Sequence, residues 1–136
     1  AEQVIEYLKT QTHVRDWATV HQPVPRGTGD AVMSCKGEIS SDRVLVLNGD
    51  DLYSKTDLER LSQRPAGLLA HPVNEPRKFG IVFPRKDGTL AEMIEKPEMD
   101  GTQLANIGAY LFPKQVFDIP LQLSKRGEYE ITDAVS

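Results

Sequence analysis

Cysteine occurs once in these 136 residues, as Cys35, so no internal disulfide can close and no thiolate cluster can hold zinc; a lone thiol suits a reducing compartment. Cys35 shares a helix face with Val32 and reads as a small core residue rather than a nucleophile. The three histidines, His13, His21 and His71, are too scattered to ligate a metal from one helix. No apolar run approaches the roughly 20 residues of a membrane span. The opening residues lack the basic head and continuous apolar stretch of a leader, so a cytoplasmic location is expected, with no membrane partner. Lys and Arg number 16 against 20 Asp and Glu and do not cluster, so the chain lacks the basic footprint of a nucleic-acid binder. Any phosphate site must therefore be assembled locally, from a few cations, backbone N–H groups or a metal. A Walker loop, a nucleophile elbow and a zinc-protease helix are all missing.

What is present alternates between helix and strand. Val4, Ile5 and Leu8 share one helical face, and so abrupt a helix start implies that something precedes it. Trp17 to His21 reads as a short strand, and Pro23 with Pro25 makes Gln22 to Gly27 a loop. Thr28 can cap a helix running to about Lys36. Arg43 to Asn48 contains Val-Leu-Val-Leu, a run with no polar face, which predicts a strand buried on both sides. Thr56 with Glu59 predicts a capping box and a helix to about Gln63. Gly67 to Pro72 is a further strand, and Gly80–Phe83 and Thr89–Glu95 pair through the Lys86-Asp87-Gly88 turn. Residues 96 to 103 are loop-like, Asn106 to Phe112 a strand, Lys114 to Asp118 a short helix, and Glu128 to Val135 a helix start. The order predicts one α/β domain over residues 1–136, three-layer and Rossmann-like, with a mixed, mainly parallel sheet. Ligands of such sheets sit beyond the carboxyl ends of strands, where Asp50 stands.

Five segments carry candidate chemistry, and each admits a plainer reading. Gly27-Thr28-Gly29-Asp30-Ala31 either brings backbone close to a ligand at a helix start or is a turn with a cap. It only partly imitates a dinucleotide fingerprint, since Val32 holds the third glycine's place. Asn48-Gly49-Asp50-Asp51 either holds a hard cation or is a solvated turn, with Asp50 the better ligand candidate. In Glu95-Lys96-Pro97 the carboxylate can meet sugar hydroxyls and the ammonium a phosphate, or the two form a surface ion pair. Asn106-Ile107-Gly108 offers an amide at a strand start, and Arg126 to Asp133 is otherwise a charged helix start.

The order of these pieces is more specific than any one of them. Gln22 with Gly27-Thr28-Gly29-Asp30-Ala31, then Val-Leu-Val-Leu-Asn-Gly-Asp50-Asp51, Phe79-Gly80-Ile81-Val82, Ile94-Glu95-Lys96-Pro97, Ala105-Asn106-Ile107-Gly108-Ala109-Tyr110 and Gly127-Glu128-Tyr129-Glu130-Ile131-Thr132-Asp133 together resemble the sugar-1-phosphate nucleotidylyltransferases, in particular the glucose-1-phosphate thymidylyl- and uridylyltransferase branch. The resemblance covers nearly the whole chain. It implies a nucleotide-diphospho-sugar transferase-like fold and transfer of a nucleotidyl group from dTTP or UTP to a sugar-1-phosphate, with pyrophosphate released. It further implies that Gln22, Gly27 and Thr28 bind the nucleotide, that Gly80, Glu95 and Asn106 contact the sugar, that Lys96 and Arg126 face the sugar phosphate, and that Asp50 holds Mg²⁺.

The same resemblance places an Arg- and Lys-bearing Gly-rich loop ahead of these segments and a second metal-binding Asp after them, and nothing in the 136 residues matches either. The expectation is therefore a truncated domain with negligible turnover by itself, whose raw apolar sheet edge favours a homo-oligomer. Two other functions compete: a non-catalytic module that binds a nucleotide sugar or sugar phosphate, or serves as a partner subunit, and a metal-dependent glycosyltransferase, against which Glu95-Lys96-Pro97 and Ile131-Thr132-Asp133 speak.

Overall fold

The computed structural model describes residues 2–13, 15–124 and 126–135. Helix α1 spans Glu2–Thr10, α2 Thr28–Ser34 and α3 Lys55–Ser62; strands are β1 Arg43–Leu47, β2 Gly67–Val73, β3 Gly80–Pro84, β4 Leu90–Glu95 and β5 Gln103–Pro113. Short 3-10 turns cover Lys36–Glu38, Pro76–Lys78, Lys114–Asp118 and Ile131–Val135.

The sheet is organised by β5. Tyr110 faces Val46 of β1 across one edge and Leu68 of β2 across the other, while Ala105 faces Ile81 of β3 on one side and His71 of β2 on the other. β2 therefore runs along one whole edge of β5, and β1 and β3 share the opposite edge, one after the other. Hairpin partner β4 then pairs with β3, Gly80 opposite Glu95.

The α/β class and the open sheet agree with expectation; the strand directions do not. All four pairings are antiparallel. Both β1 and β2 run opposite to β5 and so parallel to each other, as a crossover through α3 demands, but β5 inserts between them and takes their hydrogen bonds. Nor is β1 buried on both faces. Val44 and Val46 pack into the core, whereas Leu45 and Leu47 remain 43% and 40% exposed. Among the described residues β1 is bonded to β5 alone.

The main core lies on the face of β5 that carries Tyr110 and Phe112, joined by Val116, Phe117 and Ile131 and flanked by Val32 and Met33 of α2. The Tyr110 and Phe112 rings stack, centroids 5.5 Å apart. Each large side chain so buried contributes about 1.5–3 kcal/mol.

Local corrections have local causes. Residues 17–21 form no strand, for among the described residues no strand pairs with them. Helix α2 stops at Ser34 rather than Lys36, its last turn tightening into the 3-10 segment. Gly27, not Thr28, sits at its N-cap. Ser54, not Thr56, caps α3, accepting from the Asp57 N–H, because Tyr53 pins the chain just before it. The stretch expected to be a helix from Glu128 opens instead with a Leu123–Tyr129 bridge and becomes 3-10 only at Ile131.

Candidate functional site

The shared edge of β5 has a break in it. Strand β1 ends with Leu47 opposite Ala109, and β3 takes up the same direction with Ile81 opposite Ala105. Between them, Asn106, Ile107 and Gly108 face no strand on that side. The turn 48–53 fills the gap from one end, and Gly80 with its partner Glu95 borders it from the other.

The turn is fastened by Tyr53. Its hydroxyl lies 3.1 Å from the carbonyls of Ile107 and Gly108 and accepts from the Asn48 N–H at 3.2 Å. Burial raises the Tyr53 pKa above its ordinary 10.0; the Asn48 bond opposes this, and the carboxylates of Asp51 and Asp50 add to it. The Asn48 amide donates to Asp51 at 2.9 Å and nests on Gly108, whose φ of 72° and lack of a side chain permit the approach. Asp51 is thus committed to the turn. Asp50 takes part in none of these bonds and is exposed.

At the other border, the Glu95 carboxylate folds over Gly80: a Cβ on Gly80 would lie 2.9 Å from Glu95 Oε2. Lys96 adopts a positive φ of 45°, and its N–H donates to the Phe79 carbonyl at 2.9 Å. Its ammonium stands 4.0 Å from Glu95, both groups half exposed, a weak pair.

Asn106 is held at both ends of its amide. Nδ2 donates to the Tyr110 hydroxyl at 2.6 Å, and Oδ1 accepts from the Gly108 N–H at 3.1 Å. The Tyr110 pKa is raised above 10.0, chiefly by burial; the Asn106 bond lowers it, and the charges of Glu95 and Glu130, with Tyr53, raise it.

The loop before α2 carries a second set of contacts. The Gln22 amide donates to Asp30 at 2.7 Å and to the Gly27 carbonyl at 3.3 Å, and Arg26 pairs with Asp30 at 2.9 Å. Asp30 can only accept, so Nε2 must face it and Oε1 remains an acceptor. Gly27 takes φ 111° against the Tyr129 backbone, where a Cβ would meet the carbonyl oxygen at 2.4 Å. Gly29 donates to that same carbonyl at 2.8 Å. The Thr28 hydroxyl accepts from the Ile131 N–H at 3.1 Å. Both glycines and the threonine thus serve the docking of residues 27–29 onto residues 129–131. Arg126 pairs with Glu128 at 3.1 Å and Glu130 at 3.7 Å.

The structure accordingly gathers Asp50, Gly80, Glu95, Lys96 and Asn106 around the break. Gln22, Gly27, Thr28 and Arg126 form a second group, about residues 26–30 and 128–131. An apolar cavity of about 800 Å³, walled by Leu61, Leu68, Val82, Leu111 and Val135, touches none of the nine. Sequence reasoning missed Tyr53, Tyr110, Glu130 and Asp30 as members of the site. The signal for Tyr53 was a hydroxyl close behind an Asn-Gly-Asp-Asp turn; for Tyr110, its i+4 spacing from Asn106 carried none in a strand.

Asp50 offers one carboxylate, and no group of three potential metal ligands occurs among the described residues. That fits Mg²⁺ in the form it commonly takes, bound through one carboxylate with water and phosphate oxygens completing the octahedron. It does not fit a cage built by protein alone.

Comparison with known proteins bears on the family and the fold. The bifunctional protein GlmU of Methanocaldococcus jannaschii is 32% identical over 136 residues, covering 98% of this chain and 32% of its own length. A bifunctional sugar-1-phosphate nucleotidylyltransferase/acetyltransferase of Sulfurisphaera tokodaii is 30% identical over 115 residues, covering 82% of this chain and 28% of its own. The chain thus spans about a third of the length of the curated relatives it matches. Among solved structures, a UDP-glucose pyrophosphorylase complexed with UDP-glucose shares the fold, with a TM-score of 0.74 at 21% identity, over 98% of this chain and 58% of that one. No described helix is long and apolar enough to cross a membrane. The model of the nucleotidyl transferase family matches residues 1–136, and the chain belongs to that family.

Proposed function

We propose that this chain forms the base- and sugar-contacting part of a sugar-1-phosphate nucleotidylyltransferase, one that uses dTTP or UTP. The observation that carries this reading is the break in the β5 edge, where an uncommitted carboxylate, a glycine roofed by a second carboxylate and a half-engaged amide border one gap. A phosphate oxygen of the sugar-1-phosphate attacks the α-phosphorus of the triphosphate; the new P–O bond forms as the bond to pyrophosphate breaks, and the electron pair leaves with pyrophosphate. Such a reaction needs alignment and charge neutralisation more than covalent help.

Gln22 Oε1 accepts from the N3–H of uracil or thymine, held in place by Asp30. Gly27 keeps the loop close to residues 129–131, and Thr28 locks the helix start there. Glu95 and Asn106 bond sugar hydroxyls, with Gly80 leaving room for the carboxylate. Lys96 and Arg126 neutralise the sugar phosphate. Asp50 would hold Mg²⁺, which when bound offsets the triphosphate charge. Residues 1–136 contain no match to a Gly-rich Arg/Lys loop, so by themselves they turn over negligibly.

The test is pyrophosphate release from dTTP or UTP with glucose-1-phosphate and Mg²⁺, alongside calorimetry with UDP-glucose and dTDP-glucose. Binding of a nucleotide sugar that weakens in Asp50→Asn, at unchanged melting temperature, is the expected result. No heat with any nucleotide sugar would overturn the site, and brisk turnover would overturn the claim that a part is missing. A second reading, a non-catalytic nucleotide-sugar binding module, is favoured by one observation: the single uncommitted carboxylate, with no second metal ligand grouped around it among the described residues. It predicts binding indifferent to Asp50→Asn.

A further inference from the structure

An asparagine amide has four hydrogen-bonding positions, two N–H donors and two carbonyl lone pairs. At Asn106 two of the four are used inside the protein. The Gly108 N–H can only donate, so Oδ1 must face it; the other end, Nδ2, must then face Tyr110. The phenol oxygen is therefore an acceptor, at 2.6 Å. Tyr110 is 3% exposed and its ring stacks on Phe112, so the hydroxyl cannot swing away. Asn106 itself is only half-buried. One end of the bond is thus anchored in the core, and the other lies at the break in the sheet edge.

We propose that Tyr110 is a positioning residue for Asn106: with the Gly108 N–H, its hydroxyl fixes the orientation of the amide, leaving one N–H and one carbonyl lone pair for a hydroxyl of the ligand's sugar. The ligand half of this proposal rests on the nucleotide-sugar reading above; the geometric half does not. Without the phenol oxygen the amide keeps only its weaker Gly108 contact and rotates, so it presents donor and acceptor to the ligand indifferently. That loss falls on the sugar and leaves the nucleotide untouched.

Tyr110→Phe keeps the ring and removes only the oxygen. In the free 136-residue protein, the Asn106 side-chain amide protons should lose their distinct NMR shifts and slow exchange, collapsing toward those of a solvated amide. By calorimetry, affinity for UDP-glucose should fall on the order of three- to tenfold, as one net hydrogen bond dictates, while affinity for UDP stays the same. An unchanged Asn106 amide signal overturns the proposal whether or not any ligand binds. A changed signal with UDP-glucose affinity intact, or with UDP weakened equally, overturns the positioning role. Absence of all binding by the wild-type protein overturns the nucleotide-sugar reading, and with it the ligand half, while the amide signal still decides the geometry. Should Tyr110→Phe fail to fold, Asn106→Ala reads the same contact from its other end: the Tyr110 phenol must then ionise at higher pH, since the amide no longer stabilises its anion. Ionisation at an unchanged pH refutes the contact.

Discussion

Replacing Gly108 by alanine tests how the turn bearing Asp50 is held. The backbone there has φ 72°, a left-handed conformation that costs an L-residue about 1–2 kcal/mol. The new Cβ would also lie 2.0 Å from Asn48 Nδ2 and 2.5 Å from its Cγ. No rotation of a methyl relieves that, so Asn48 must vacate its nest and give up its 2.9 Å bond to Asp51, an exposed contact worth about 0.5–1 kcal/mol. Together these predict a loss of roughly 1.5–3 kcal/mol. Urea unfolding of wild type, Gly108→Ala, Asn48→Ala and the double variant measures it. With Asn48 already cut back, Gly108→Ala should cost only its backbone share, about 1–2 kcal/mol. Strict additivity would mean that Asn48 does not occupy the space above Gly108. A total loss under about 0.5 kcal/mol would refute both parts of the reasoning.

Gly80→Ala should behave in the opposite way. Its Cβ crowds the flexible end of Glu95 at 2.9 Å and meets Met93 at an ordinary 3.8 Å, so stability should hold within about 0.5 kcal/mol, while nucleotide-sugar affinity falls as the carboxylate is displaced; an unfolding penalty with binding intact would reverse that assignment. Alkali should destabilise the fold by a route visible in Tyr110. Its folded pKa is raised above 10.0, so the unfolded chain sheds the proton first, and stability is full below that value and declines as pH rises through the folded pKa. Urea midpoints followed from neutral pH upward should drop less steeply in Tyr110→Phe than in wild type, and parallel curves would argue that the phenol ionises freely.

The elements whose signal is local were legible in sequence. Asp87-Gly88 gave the hairpin, where the Asp87 carboxylate indeed accepts from the Thr89 N–H and hydroxyl, and Val-Leu-Val-Leu gave β1. Strand direction was not legible, because alternation of helix and strand fixes that β1 and β2 run the same way but not which strand lies between them. The length of β5 was underestimated for a related reason: Gln103 to Ala105 is held by β2 and β3, partners that no local pattern announces. Of the candidate site, motifs in the sequence pointed to Asp50, Glu95, Lys96 and Asn106, which the fold places about the break in the β5 edge, but not to Asp30 or Glu130. Nor did they point to Tyr53 or Tyr110. Tyr53 reaches a carbonyl 54 residues away, and Tyr110 reads as core until its hydroxyl is seen to end on Asn106. Gly27 is open in sequence to two readings, ligand approach or a turn with a cap, and its lack of a side chain lets it pack against the chain's own Tyr129.

The central place of β5 also sets an order of events. Among the described residues every strand except β4 bonds to it directly, yet of the five it is made last. Until Gln103–Pro113 has been synthesised, β1 and β2 lack the neighbour to which both are bonded here, and the faces they turn to it must wait in the growing polypeptide. Assembly is therefore non-local and late, the circumstance in which folding is slow and nascent chains most need shelter from one another.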